Sequence, residues 1–128
     1  TRPGGAISSA WAVMHYLGIE GYRQKQQSVT RARARIEEGV AELGFEVLGA
    51  PKLGIMAFSH PELDIFALYK RLFERGWVTS LCTQPKALHL MLSPFHETVV
   101  AQYLTDLTWA VAQVRAGVTD AVTEVRYS

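Results

Sequence analysis

Gly54-Ile55-Met56-Ala57-Phe58-Ser59-His60-Pro61-Glu62-Leu63-Asp64-Ile65-Phe66-Ala67-Leu68 changes character part-way along. Ile55 to Phe58 are all apolar, as in a well-covered strand. Ser59-His60-Pro61-Glu62 then has capping-box spacing, with Asp64 as an alternative N-cap. From Ile65 the apolar period lengthens: Ile65, Leu68, Tyr69, Leu72 and Phe73 mark one face of a helix that runs to about Arg75. Gly76 stops it.

The same reading extends outward. Downstream, Trp77 to Leu81 and Ala87 to Leu92 read as strands, parted by a turn around Gln84-Pro85-Lys86. Ser93-Pro94 is a helix start with proline at the first position. Val100, Tyr103, Leu104, Leu107, Val111 and Val114 form the stripe of a last helix, which Gly117 ends. Upstream, Phe45 to Leu48 is a short strand after Gly44. Ile19, Tyr22, Val29, Ala32, Ile36, Val40 and Leu43 make the stripe of a long helix over 19–43. Ile7, Ala10, Trp11, Met14 and Leu17 predict a further helix over 6–17, with Gly18 as its C-cap.

The order is two helices, then β-β-α-β-β-α. It predicts an α/β (α+β) fold: a small, mostly antiparallel sheet covered by helices, with Phe58 and Trp77 in the core. Residues 1–43 are expected to form a helical linker region, 44–117 a small α+β domain and 118–128 a polar tail. A ferredoxin-like binding domain gives a similar pattern, so fold alone does not settle function.

Composition excludes several classes. The 128 residues carry a net charge of +1, which makes no case for nucleic acid or a membrane surface. Arg31, Arg33 and Arg35 are spread around a helix and read as a solvated face. No apolar run is long enough for a membrane span, and no signal peptide is visible. The single cysteine, Cys82, excludes an internal disulfide and suits a reducing, cytoplasmic setting. His60, His89 and His96 are dispersed, so no metal site is expected. Ser59, His60 and Asp64 are close in sequence, which is no evidence for a triad.

At the start, Thr1-Arg2-Pro3-Gly4-Gly5 is a polar turn that runs into an apolar helix. Such a turn offers a hydroxyl and backbone N–H groups to an anion. It is followed in order by Trp11-Ala12, Gly18-Ile19-Glu20-Gly21-Tyr22, Gly49-Ala50-Pro51, Phe58-Ser59, Leu63 to Leu68, Arg75-Gly76-Trp77, Gln84-Pro85, Leu88-His89 and Phe95-His96. This ordered set, over roughly residues 1–110, resembles the sphingosine-1-phosphate lyase and group II decarboxylase family. These are fold-type I enzymes that use pyridoxal 5'-phosphate.

The resemblance implies the later part of such an enzyme, including its small C-terminal domain, and a homodimer. The family's Schiff-base lysine lies upstream of the Arg-Pro-Gly turn, so no catalytic residue is expected here and the chain alone is expected to be inert. By the same resemblance, Thr1 would reach the cofactor phosphate of the neighbouring subunit. Arg2 would add a charge-assisted bond or simply fix the turn. His89 would lie near the substrate, where amino-acid enzymes of this fold place a carboxylate-binding arginine; otherwise it is an ordinary residue at a sheet end. No arginine occurs between Arg75 and Arg115. The expected substrate is therefore a phosphorylated long-chain base. The alternatives are an amino-acid decarboxylase of the same superfamily and a free-standing small-molecule-binding domain. Animal lyases of this kind carry an upstream membrane anchor, which this sequence does not display.

Overall fold

The structure is a computed structural model that describes residues 3–117; Thr1, Arg2 and the tail from 118 on lie outside the described residues. Helix α1 spans Gly4–Glu42, strands β1 and β2 span Glu46–Val47 and Ile55–Ser59, and α2 spans Ile65–Glu74. Strands β3 (Ser80–Thr83) and β4 (Lys86–Met91), a 3-10 turn at Pro94–Thr98 and α3 (Val100–Arg115) complete it. The strands form one antiparallel sheet in the order β1-β2-β4-β3.

Gly18 does not cap a separate helix. It interrupts α1 at φ 56° and ψ −175°, and helix resumes at once on both sides. That conformation is open to glycine and strained for residues with a Cβ. Beyond the break, Val29, Ala32, Ile36 and Val40 are buried. Before it, Ile7, Trp11 and Met14 remain exposed, at 65%, 61% and 53%.

Asp64, the alternative cap, starts α2: its Oδ1 accepts from the Phe66 N–H at 2.9 Å. Ser59 is drawn into the sheet instead, where its Oγ donates to the Lys86 carbonyl at 2.6 Å. Helices α1 and α2 end alike. The Gly44 and Phe45 N–H groups bond the carbonyls of Ala41 and Val40, and those of Gly76 and Trp77 bond Phe73 and Leu72. These are the paired bonds of a Schellman motif, with an aromatic residue just past each helix.

This closure explains why β3 begins at Ser80 rather than Trp77. The Trp77 backbone N–H is committed to α2, and its side chain turns toward α3. Phe73 also departs from expectation: it is 54% exposed, its ring beside that of Tyr69 at the edge of the helix.

The helices cover one face of the sheet. Met56 and Phe58 of β2 and Leu88 and Leu90 of β4 are buried there, against Ile36, Leu68, Leu72, Val100 and Leu107. Phe45 meets Phe58 edge-on at 5.3 Å. The alternate residues point away from this core, as a two-residue period requires. Of these, Ala57 and His89 are half-buried and Ile55 and Met91 exposed.

Candidate functional site

His89 sits in the middle of β4, opposite Ala57 of β2 and Ser80 of β3. The β3 pairing stops at that Ser80–His89 step, so the continuation of β4 through Leu90 has no strand beside it on that edge. The chain before β3 diverges there, and a cavity of about 170 Å³ opens between the two segments. His89, Leu90, Trp77 and Thr79 line it, and Tyr103 and Val100 of α3 close it from the helix side.

Trp77, one of the lining residues, is anchored by a buried carboxylate. Asp106 is 5% exposed and faces in from α3. Its Oδ2 accepts from Trp77 Nε1 at 2.9 Å and from Gln102 Nε2 at 3.1 Å. Its Oδ1 lies 3.5 Å from Arg75, whose guanidinium covers the Trp109 ring at 4.0 Å. The Trp77 N–H chiefly, with Gln102 and Arg75, holds the carboxyl below the usual aspartate value against the opposing effect of burial. Trp77, fixed this way, meets Tyr103 edge-on at 5.1 Å. Trp77 is thus half-buried and hydrogen-bonded rather than a fully enclosed core residue.

Tyr103 is 4% exposed, and burial pushes its hydroxyl well above the ordinary tyrosine value, so it stays neutral. Among the described residues its hydroxyl has no hydrogen-bond partner, and neither does the buried Oγ1 of Thr79. His96 is held by its own turn, its Nδ1 accepting from the Ser93 N–H at 2.8 Å. His60 serves a loop: its Nδ1 accepts from the N–H groups of Glu62 and Leu63, both at 3.1 Å.

Of the candidates named from sequence, His89 is among the described residues. His89 lies on the sheet, at the cavity. Thr1 and Arg2 lie outside the described residues. Lys25, Lys52, Lys70 and Lys86 are not among the residues that line this cavity. No group of three or more His, Cys, Asp or Glu residues able to hold a metal occurs among the described residues. No helix there is long and apolar enough to cross a membrane.

A four-stranded antiparallel sheet backed by helices, reached through a long broken helix, matches the small domain of fold-type I pyridoxal-phosphate-dependent enzymes. More narrowly, the chain belongs with the sphingosine-1-phosphate lyases and group II pyridoxal-phosphate-dependent decarboxylases, as part of an enzyme of that kind. It is 38% identical over 117 residues to sphingosine-1-phosphate lyase from Arabidopsis thaliana, a match covering 91% of this chain and 22% of the plant protein. It is 36% identical over 94 residues to a probable L-tyrosine/L-aspartate decarboxylase from Methanothermobacter thermautotrophicus, covering 73% of this chain and 26% of the archaeal protein. The solved sphingosine-1-phosphate lyase of Burkholderia pseudomallei superposes with a TM-score of 0.84 at 28% identity, over 91% of this chain and 27% of that one. No protein-family profile matches. The chain thus spans about a quarter of the length of these relatives.

Sequence reasoning places Tyr103 in an apolar stripe and passes over Asp106. A carboxylate directly before Leu107, on the buried side of that helix, is the available signal. It requires a donor, and Trp77, Gln102 and Arg75 are those in reach.

Proposed function

We propose that this chain is the C-terminal part of a pyridoxal-phosphate-dependent carbon–carbon lyase acting on a phosphorylated long-chain base. The complete protein would cleave the C2–C3 bond to give a fatty aldehyde and phosphoethanolamine. The observation that carries this reading is the 38% identity to the plant lyase, with the 0.84 superposition on the bacterial one in support. Bound pyridoxal phosphate supplies an electron sink for the carbon left behind when the bond breaks.

In this reading Thr1 donates a hydrogen bond to the cofactor phosphate across a homodimer interface, and Arg2 adds charge or fixes the turn. His89 stands near the substrate. The absence of arginine from 76–114 favours a substrate without an α-carboxylate in that region. The exposed stripe of Ile7, Trp11 and Met14 fits burial against the second subunit, because such a patch is unfavourable in water. The chain alone is inert, for want of a lysine in a cofactor pocket.

A second reading, an amino-acid decarboxylase of the same superfamily, is favoured by the 36% identity to the archaeal protein. A free-standing binding domain is the remaining alternative. Borohydride reduction of the complete protein with pyridoxal phosphate, followed by peptide mapping, separates an enzyme from a binding domain. The expected result is one modified lysine outside residues 1–128. Stoichiometric modification of Lys25, Lys52, Lys70 or Lys86, or of no lysine, would refute the proposal.

A further inference from the structure

Beyond the Ser80–His89 step, Val78 and Met91 stand on the two diverging segments, and both line the cavity. They are exposed, at 77% and 66%, so the mouth opens directly to solvent. Leu92 and Val99, both half-buried, continue the apolar lining. We infer that this groove holds part of the substrate's hydrocarbon chain, and that Met91 and Val78 at its mouth set the preference for chain length. The inference rests on the lyase reading and extends it from the head of the substrate at His89 to its tail.

Charge decides which end of the substrate enters. A phosphorylated long-chain base carries a phosphate and an amine at one end and an uncharged chain at the other. No aspartate, glutamate, lysine or arginine lines the groove, so either charged group would be desolvated there without compensation. The chain has no charge to compensate, and its methylenes gain by leaving water. Met91 suits such a guest, because an unbranched thioether adapts to a flexible partner.

Size and direction agree. The groove measures about 170 Å³, and an apolar cavity of about 150 Å³ accepts the six carbons of benzene. It therefore takes a stretch of about six carbons rather than a whole chain. His89 lines it at the last paired step, so a chain that starts there leaves between Val78 and Met91. The apolar surface continues past the mouth: Met91 pairs across the open face of the sheet with Ile55, which is 57% exposed.

The test uses the complete protein, supplied with pyridoxal phosphate, and phosphorylated sphingoid bases of graded chain length. kcat/KM should rise about 2- to 4-fold per methylene over a span of about six methylenes, then level off. Met91→Asp places a charge at the mouth. It should lower the ratio of kcat/KM for the longest base to that for the shortest by about tenfold or more, and Met91→Leu should restore that ratio. A kcat/KM independent of chain length would overturn the inference. So would an equal loss at every length in Met91→Asp, which would mean that the groove is packed by another part of the polypeptide. If no base is cleaved, the lyase reading fails, and calorimetric titration with alkyl phosphates of short and long chain decides the groove. Affinity that grows with chain length, with a negative heat-capacity change, and falls in Met91→Asp supports it. Affinity set by the phosphate alone refutes it.

Discussion

The indole N–H of Trp77 donates to Oδ2 of Asp106 at 2.9 Å, tying the segment after α2 to the inner face of α3. Twenty-nine residues of sequence separate the two. The bond holds the Trp77 side chain toward α3, at the wall of the cavity beside β4. Asp106→Asn keeps the shape but loses the charge that Arg75 and the indole face. It should cost about 1–3 kcal/mol at neutral pH. The folded carboxyl ionises more readily than the unfolded one, so its contribution is complete above an ordinary aspartate value near 4 and disappears as pH falls through the lower, folded value. Denaturant melts of parent and variant should converge on acidification below about pH 4. A gap that is constant with pH would contradict the assignment.

Phe58 and Trp77 are both expected in the core from sequence, and they differ. Phe58 is fully buried between the sheet and the helices, so Phe58→Ala should cost about 3–5 kcal/mol. Trp77 is half-buried, and its truncation should cost less than that of Phe58. Equilibrium unfolding of the two variants checks the order. A reversed order would mean that the Asp106 bond outweighs complete burial.

Gly54 lies where β2 begins, against α1 and the end of β4. A Cβ there would stand 2.7 Å from the Leu92 carbonyl oxygen and 2.7 Å from a Val29 methyl. The oxygen belongs to Leu92, whose N–H donates to the Gly54 carbonyl at 2.6 Å, so it has little room to move. Gly54→Ala should therefore destabilise by about 1–3 kcal/mol, as overpacking does. A thermal melt unchanged from the parent would show that the strand end yields.

The exposed stripe before Gly18 makes a prediction for the complete protein. If Trp11 is buried between subunits, Trp11→Glu introduces a charge without a partner at that interface. Sedimentation should then show a shift from dimer toward monomer while the fold beyond Gly18 is retained. An unchanged dimer would assign the stripe to a contact within one subunit.

The periodic elements are legible in the sequence because burial of one face sets their spacing. The stripes of α2 and α3 predict Ile65, Leu68, Leu72, Leu107 and Val111 in the core, and all are buried there. Glycines mark helix ends for a physical reason at Gly44 and Gly76, where paired backbone bonds close the last turn. At Gly18 the same signal marks a break within one helix, a distinction that composition does not carry. The capping choice between Ser59 and Asp64 depends on whether Ser59 stays in the strand, and its bond to Lys86 across the sheet decides that. The cavity is not legible, because it lies beside the step where the β3–β4 pairing stops, which no spacing in the sequence marks. His89 can be placed on a strand from its neighbours; its position at the last paired step of β4 cannot.

The central claim is the reaction of the complete protein, and product analysis tests it most directly. The protein, supplied with pyridoxal phosphate, is offered a phosphorylated sphingoid base and, in parallel, L-tyrosine and L-aspartate. The account predicts phosphoethanolamine and a long-chain aldehyde in equal amounts from the first, and no carbon dioxide from the amino acids. Carbon dioxide from either amino acid, with no phosphoethanolamine released from the sphingoid base, would contradict it.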